Sequence, residues 1–442
     1  MTQTLTQSPT SSAASNPVKD WFTLERLGMF IHFGLYSLPA RSSGNGLAEW
    51  IRHNERLSFE HYGRYFEHFN PDLFDPGAWA RQARAAGMRY AVMTAKHHDG
   101  FCLWDSALTD FKAPNTPYGR DLLREYVDAF RAEGLKVGFY YSLFDWHHPE
   151  FPLDGLHPQR DDFAFRSKHT GGNIERYREY LFGQVRELLT QYGKIDLLWF
   201  DFSYPQRDWG WSRGKGRDDW HSEELLEQIR TLQPGIMVNN RLDIDGDFLT
   251  PEQVQPLSWP LEQGVRAAWE ACQTLNGTWG YDRNNTEWKS ADLLVRLLID
   301  TVSKGGNLLL NVGPNARGAL PPETEARLRE VGEWTRLHAR AIYGCTQSEF
   351  SAPPDARLTQ NGNRLYLHLF SYPLKQTFLP GLAGRVKYAQ FLHDASEVVF
   401  RDSSAPEADN HQQTDLPPES IVLELPARRP EVAVVVIELF LN

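Results

Sequence analysis

Ile195-Asp196-Leu197-Leu198-Trp199-Phe200-Asp201 is the stretch that decides the fold. Apolar residues run through it without alternation. The strand they predict is therefore buried on both faces, as in a parallel sheet. It ends on a carboxylate, so Asp201 falls at the carboxyl edge of that sheet. Parallel barrels and doubly wound sheets carry their reactive groups there. Trp199 adds an apolar wall beside the charge. From its position alone, Asp201 reads as a nucleophile, a base, a metal ligand or a strand-end cap.

Outward from this strand, apolar runs alternate with helical patterns. Residues 28–34 (GMFIHFG), 88–95, 136–142 (KVGFYYS), 235–239 (GIMVN) and 307–312 (NLLLNV) read as further strands, and Trp269-Glu270 as a weaker one. Between them lie helices. One opens at Asp75-Pro76 with an N-cap and an N1 proline and stops at Gly87. Others carry apolar residues at helical spacing over 122–130, 174–189, 223–232, 292–302 and 323–338. Strand–helix alternation predicts parallel βα units and a (β/α)8-like barrel with long loops. A doubly wound sheet is the alternative, but no GxGxxG fingerprint is present. From Cys345 onward the runs are short and punctuated by Pro, Gly and Asn: 364–370, 386–392, 397–400, 421–425 and 432–441. That pattern predicts an antiparallel β-sandwich. The expected organisation is a disordered leader at 1–18, a catalytic barrel at 19–344 and a β-sandwich at 345–442.

Composition narrows the function. Lys and Arg number 46 against 57 Asp and Glu, a net charge of −11, which argues against a general nucleic-acid binder. The 14 Trp, 17 Tyr and 25 Phe exceed ordinary usage and suit stacking on sugar faces as well as a large core. Cys102, Cys272 and Cys345 form no disulfide framework and read as buried free thiols. Residues 1–20 lack a basic segment followed by an apolar core, and no apolar run is long enough to span a bilayer. The expectation is a cytoplasmic enzyme with no membrane partner.

Most predicted strands end in a chemically capable group: His32, Lys96-His97-His98-Asp99, Tyr140-Tyr141-Ser142, Asp201, Asn239-Asn240-Arg241, Glu270 and Asn311. Polar groups at the same end of many strands converge on one mouth. His32, His97 and His98 read first as hydrogen-bonding groups for a polyhydroxylated ligand. A metal site is the weaker reading, because neighbouring residues on a strand face opposite ways and no HExxH spacing occurs. His147-His148 reads as a solvated loop pair without a role. No GxSxG presents a serine nucleophile. Two carboxylates on separate strand ends, Asp201 and Glu270, match glycoside hydrolysis better: one ionised, the other held protonated by apolar surroundings.

The segments GMFIHFG, AEW, KHHDGF, GFYYS, LLWFD, NNR, WEACQTLNGTWGY and GGNLLLNVGP occur in that order between Trp21 and Pro314. Together they resemble the α-L-fucosidases of glycoside hydrolase family 29. The resemblance implies an exo-acting retaining enzyme that releases L-fucose by double displacement, with no metal or organic cofactor. It places the nucleophile at Asp201 and the acid/base at Glu270, with Glu262, Glu252, Asp243 and Glu287 as competitors for the second role. It places sugar contacts at His32, Glu49, Trp50, His97, His98, Tyr141, Trp199 and Arg241, and packing against the fucose methyl at Trp279 or Trp288. The implied partner is a fucosylated oligosaccharide or glycoside; assembly into a homo-oligomer stays open. The loop 202–220 departs from secreted and lysosomal members and should line the leaving-group side. The rivals are an α-L-galactosidase or related glycosidase, a metal-dependent hydrolase, and an inactive fucose-binding protein.

Overall fold

Seven parallel strands carry the site. In chain order they are β1 (Leu27–Ile31), β2 (Tyr90–Lys96), β3 (Lys136–Ser142), β4 (Leu197–Asp201), β5 (Met237–Val238) and, after a small hairpin β6 (Leu261–Glu262) and β7 (Val265–Arg266), β8 (Glu270–Thr274) and β9 (Asn307–Val312). Hydrogen bonding orders them β5-β4-β3-β2-β1-β9-β8. The computed structural model describes residues 20–169, 172–403, 416–417 and 419–442; the expected leader at 1–18 lies outside the described residues.

The gap between β5 and β8 is bridged by residues 248–252, an irregular segment without helices around it. Asn239 pairs with Phe248, Leu249 with Trp269 and Glu252 with Cys272, all parallel. This eighth position makes the sheet a (β/α)8-like barrel with one irregular stave. The expected helices are present. Those beginning at Pro76, Leu122 and Ala291 start where Asp75, Asp121 and Ser290 accept the N–H of Ala78, Arg124 and Leu293 at 2.8, 2.8 and 3.2 Å. Each such cap contributes about 1 kcal/mol.

Side-chain parity sorts each strand into two layers. In β4, Leu197, Trp199 and Asp201 point into the barrel; Leu198 and Phe200 pack outward under the helices. Register carries this to the neighbour: Tyr140 lies beside Trp199 and Ser142 beside Asp201. The floor of the barrel is filled by Phe22, Tyr90, Leu197, Met237 and Phe248. Tyr90 crosses this floor directly over Gly28, where any Cβ would overlap its ring.

One strand departs from expectation. The sequence places Glu270 at the end of its strand, but β8 begins at Glu270. Glu270 sits level with Asn307, the first residue of β9. At about 3.3 Å per residue, it lies at the amino rim of the barrel, a full strand length from the carboxyl mouth.

The C-terminal part is built of antiparallel strands: β10 (Thr346–Gln347), β11 (Ala356–Asn361), β12 (Arg364–Leu369), β13 (Gln376–Leu379), β14 (Val386–Phe391), β15 (Phe400–Asp402), β16 (Ile421–Glu424) and β17 (Val435–Leu441). Five form one sheet, β10-β11-β12-β17-β14, and three another, β13-β16-β15. Leu367 and Ile437 of the first pack with Leu379 and Leu423 of the second. β10, β11 and β13 had no strand signal in the sequence, and the strand expected at 397–400 is displaced, overlapping β15 only at Phe400. This sandwich braces the barrel helices: Trp334 donates to the Val434 carbonyl at 2.9 Å, and Arg357 pairs with Asp300 at 2.7 Å. Among the described residues no helix is long and apolar enough to cross a membrane.

Candidate active site

A cavity of about 600 Å³ opens at the carboxyl ends of the strands, and Asp201 lines it. Asp201 is held by three donors. Its Oδ1 accepts the Phe202 N–H and Arg241 Nη1, each at 2.9 Å; its Oδ2 accepts the Tyr140 hydroxyl at 2.9 Å. Burial raises its pKa, and Arg241 offsets only part of that rise. Asn239 fixes the strand end beneath. Its amide accepts the Phe200 N–H and donates to the Phe200 carbonyl, both at 2.9 Å. Phe202 turns the chain sharply at φ 75°, a rare conformation for a bulky residue, directly after the carboxylate.

Arg241 has two carboxylate partners. Its second Nη donates to Glu252 Oε2 at 2.7 Å, and its Nε to Thr250 at 2.9 Å. Burial acts to lower its pKa, but Asp201 and Glu252 raise it overall. The guanidinium lies 4.6 Å from the Trp199 ring centroid, so Trp199 is its apolar backing. Glu252, on the irregular stave, thus reaches the cavity from the opposite prong of the same fork as Asp201.

The histidines are neutral donors and acceptors. Asn311 Nδ2 donates to the Trp279 carbonyl at 2.8 Å, which leaves its oxygen to accept His32 Nδ1–H at 2.7 Å. Burial lowers the His32 pKa to about 3. His97 is likewise pushed well below its ordinary value, by burial and by His32. The His98 N–H donates to His97 Nδ1 at 2.9 Å, so His97 Nε2 carries the proton and faces Tyr140 at 3.3 Å. A chain of neutral groups therefore ends on Asp201.

Glu49 lies fully buried in the wall, with Oε2 accepting the Gly280 N–H at 3.0 Å and Oε1 without a protein partner. Burial raises its pKa to about 7. Trp50 and Trp279 also line the cavity, and Trp279 packs 5.1 Å from the His32 ring.

The structure thus brings together Asp201, His32, Glu49, Trp50, His97, Trp199, Arg241 and Trp279. Four expected residues lie elsewhere. Glu270 is fully buried on the barrel floor, where Tyr90 donates to its Oε2 at 2.5 Å. It does not face Asp201 across the cavity, because its strand starts rather than ends there. Tyr141 points outward; its hydroxyl donates to Gln184 and accepts from Lys96, at 2.8 and 2.9 Å. Its neighbour Tyr140 has the inward parity. His98 stacks on Trp146 at 4.0 Å behind Trp50. Trp288 lies behind Trp279, along a separate slit. His147, expected to be solvated, is half-buried, with its ring stacked on Phe111 at 3.9 Å.

Of the competing acids, Glu252 and Asp243 line the cavity, and Glu262 and Glu287 do not. Tyr140 was named only within a strand end, and Phe202, Tyr204 and Arg207 only through the loop 202–220 expected on the leaving-group side; all four line the cavity. Strand parity with Asp201 was the available signal for choosing Tyr140 over Tyr141. Cys102, Cys272 and Cys345 are free and buried, as expected. Among the described residues no group of three or more His, Cys, Asp or Glu could hold a metal ion.

Comparison with known proteins bears on this arrangement. A family model described as alpha-L-fucosidase matches residues 1–340. An alpha-L-fucosidase of Dictyostelium discoideum is 30% identical over 363 residues, 75% of this chain and 72% of that one. The structure of alpha-L-fucosidase isoenzyme 1 from Paenibacillus thiaminolyticus is 47% identical, with a TM-score of 0.87 over 96% of this chain and 99% of that one. A Bacteroides thetaiotaomicron GH29 alpha-L-fucosidase, solved as a trapped covalent intermediate with 2-fluoro-fucosyl fluoride, is 26% identical with a TM-score of 0.81, covering 98% of each chain. The chain belongs to the α-L-fucosidases of glycoside hydrolase family 29, and it is a glycoside hydrolase.

Proposed function

We propose that the chain is a retaining, exo-acting α-L-fucosidase in which Asp201 is the nucleophile and Glu252 the acid/base. The observation that carries this reading is the Arg241 fork, which holds both carboxylates at one cavity. Two acids on one guanidinium suit the short spacing, about 5–5.5 Å, of enzymes that pass through a covalent intermediate. The trapped intermediate of the Bacteroides relative supports the same route.

In the first step an Asp201 oxygen attacks the anomeric carbon. The bond to the leaving oxygen breaks as Glu252 delivers its proton, and a fucosyl ester remains. In the second step Glu252 takes a proton from water, which attacks the same carbon and frees Asp201. Donors from Arg241, Tyr140 and the Phe202 N–H stabilise the ionised form of Asp201 against the opposing effect of burial. The Glu252 side chain is 39% exposed, so water can reach it for the second step, which also returns its proton. Neutral His32 and His97 and the free Glu49 oxygen meet the sugar hydroxyls, and Trp279 offers an apolar face.

A second reading gives the acid/base role to Glu49, because its pKa is raised to about 7 and one oxygen is unpartnered. Azide decides between the two. It restores turnover of an aryl α-L-fucoside in the variant lacking the true acid/base and yields α-fucosyl azide. Following the first-formed sugar by NMR tests the whole reading. Release of α-L-fucose supports it; release of the β-anomer contradicts it. Turnover of aryl α-L-galactoside in preference to the fucoside would move the assignment to the related glycosidase.

A further inference from the structure

The loops after β3 and β4 meet at the mouth of the cavity. Leu156 of the first and Tyr204 and Arg207 of the second line it. Behind them lies a buried polar cluster that the proposed reaction does not use. Asp154 is 1% exposed; its Oδ2 accepts Lys215 Nζ at 2.6 Å and the Tyr204 hydroxyl at 2.7 Å, and its Oδ1 accepts the Leu156 N–H at 2.9 Å. Lys215 is 5% exposed, and its carbonyl accepts the Tyr204 N–H at 2.7 Å. Two further close approaches tighten this region, the first across the join and the second within the loop after β4. Gly155 lies against the Trp209 indole and Gly214 against the Tyr204 carbonyl, and a Cβ at either position would overlap its neighbour.

A buried ion pair is a poor source of net stability, because both charges lose their water. Its strength is geometric: the pair has few arrangements in which every oxygen is satisfied. Here it fixes two residues of the cavity wall, Leu156 through its N–H and Tyr204 through both its hydroxyl and its N–H. Arg207, three residues on, is exposed at the rim and presents guanidinium donors. Hydroxyl-rich ligands need such donors held in place, whereas a flat aryl group needs little of them.

We propose that Asp154 and Lys215 are positioning residues that latch the two loops into a subsite for a saccharide leaving group, with Tyr204 and Arg207 meeting its hydroxyls. This rests on the reading of the chain as an α-L-fucoside hydrolase. The test compares kcat/KM for an aryl α-L-fucoside and for a fucosylated disaccharide in the parent, Asp154→Asn, Lys215→Met, the double variant and Lys215→Arg. Thermal unfolding confirms that each is folded. The latch variants should lose about tenfold to a hundredfold on the disaccharide and far less on the aryl fucoside, the size of effect that small misplacements produce. Lys215→Arg should recover part of the disaccharide rate. The double variant removes both charges together and leaves no unpaired buried charge, so it carries the test if a single variant does not fold. An unchanged ratio of the two specificity constants in a folded variant overturns the latch. A parent that hydrolyses no α-L-fucoside overturns the underlying reading instead.

Discussion

At the carboxyl end of the barrel, Asp201 has a guanidinium, a phenol and a backbone N–H around it and opens on the cavity. At the amino end of the same barrel, Glu270 has Tyr90 on one oxygen and only the Trp199 indole as a further polar neighbour. Both are inward-facing acids near Trp199. Burial raises both pKa values, but only Asp201 has a cation to oppose it; Glu270 is pushed up to about 8 and stays protonated at neutral pH. Level within the barrel, more than residue type or apolar neighbours, separates a carboxylate open to the cavity from a sealed carboxylic acid.

Substitutions can break this comparison. The largest effect is expected at Asp201. Asp201→Gly should lower turnover of an aryl α-L-fucoside about 10⁴-fold while the protein stays folded. Azide should then give the inverted β-fucosyl azide, by direct attack on the opposite face. A rate near the parent's would end the assignment. Glu252→Ala should lose about 10²–10⁴-fold on substrates with poor leaving groups and much less on good ones. A loss independent of leaving group would favour Glu49. The tyrosine pair sharpens parity within one strand. Tyr140→Phe removes a hydrogen bond to a charged group and should slow hydrolysis about tenfold or more. Tyr141→Phe should change stability and leave kcat/KM near the parent value.

Glu270→Gln should have the smallest effect on rate at neutral pH, and its signature is in stability. The folded Glu270 pKa of about 8 lies above the ordinary 4.5. Between these values the native state holds a proton that the unfolded state has lost, so the group's contribution is fully present below about pH 4.5 and falls as pH rises toward 8. The parent should lose on the order of a few kcal/mol over that window relative to Glu270→Gln, read as a convergence or crossing of their Tm curves. Parallel curves would show that Glu270 is not a sealed acid.

The barrel was legible because its strands are long and apolar on both faces, and Lys136–Ser142 and Asn307–Val312 were placed to the residue. Asp201 was legible for the same reason, closing a strong strand. Glu270 was not, since Trp269-Glu270 sits at the junction of loop and strand and apolar content does not reveal on which side of it the strand lies. Glu252 carries no periodicity, because its stave is an irregular segment interrupted by Pro251 and held by side chains such as Thr250. Tyr140 and Tyr141 differ only in parity, which the register with Trp199 and Phe200 settles. Trp279 and Trp288 sit in loops, where sequence fixes neither depth nor direction.

The most direct test of the account is covalent trapping. The parent is incubated with 2-fluoro-fucosyl fluoride, and the labelled peptide is then mapped by mass spectrometry. The account predicts one fucosyl adduct, on Asp201, and none in Asp201→Gly. An adduct on Glu252, Glu49 or Glu270, or inactivation without any ester, would contradict it.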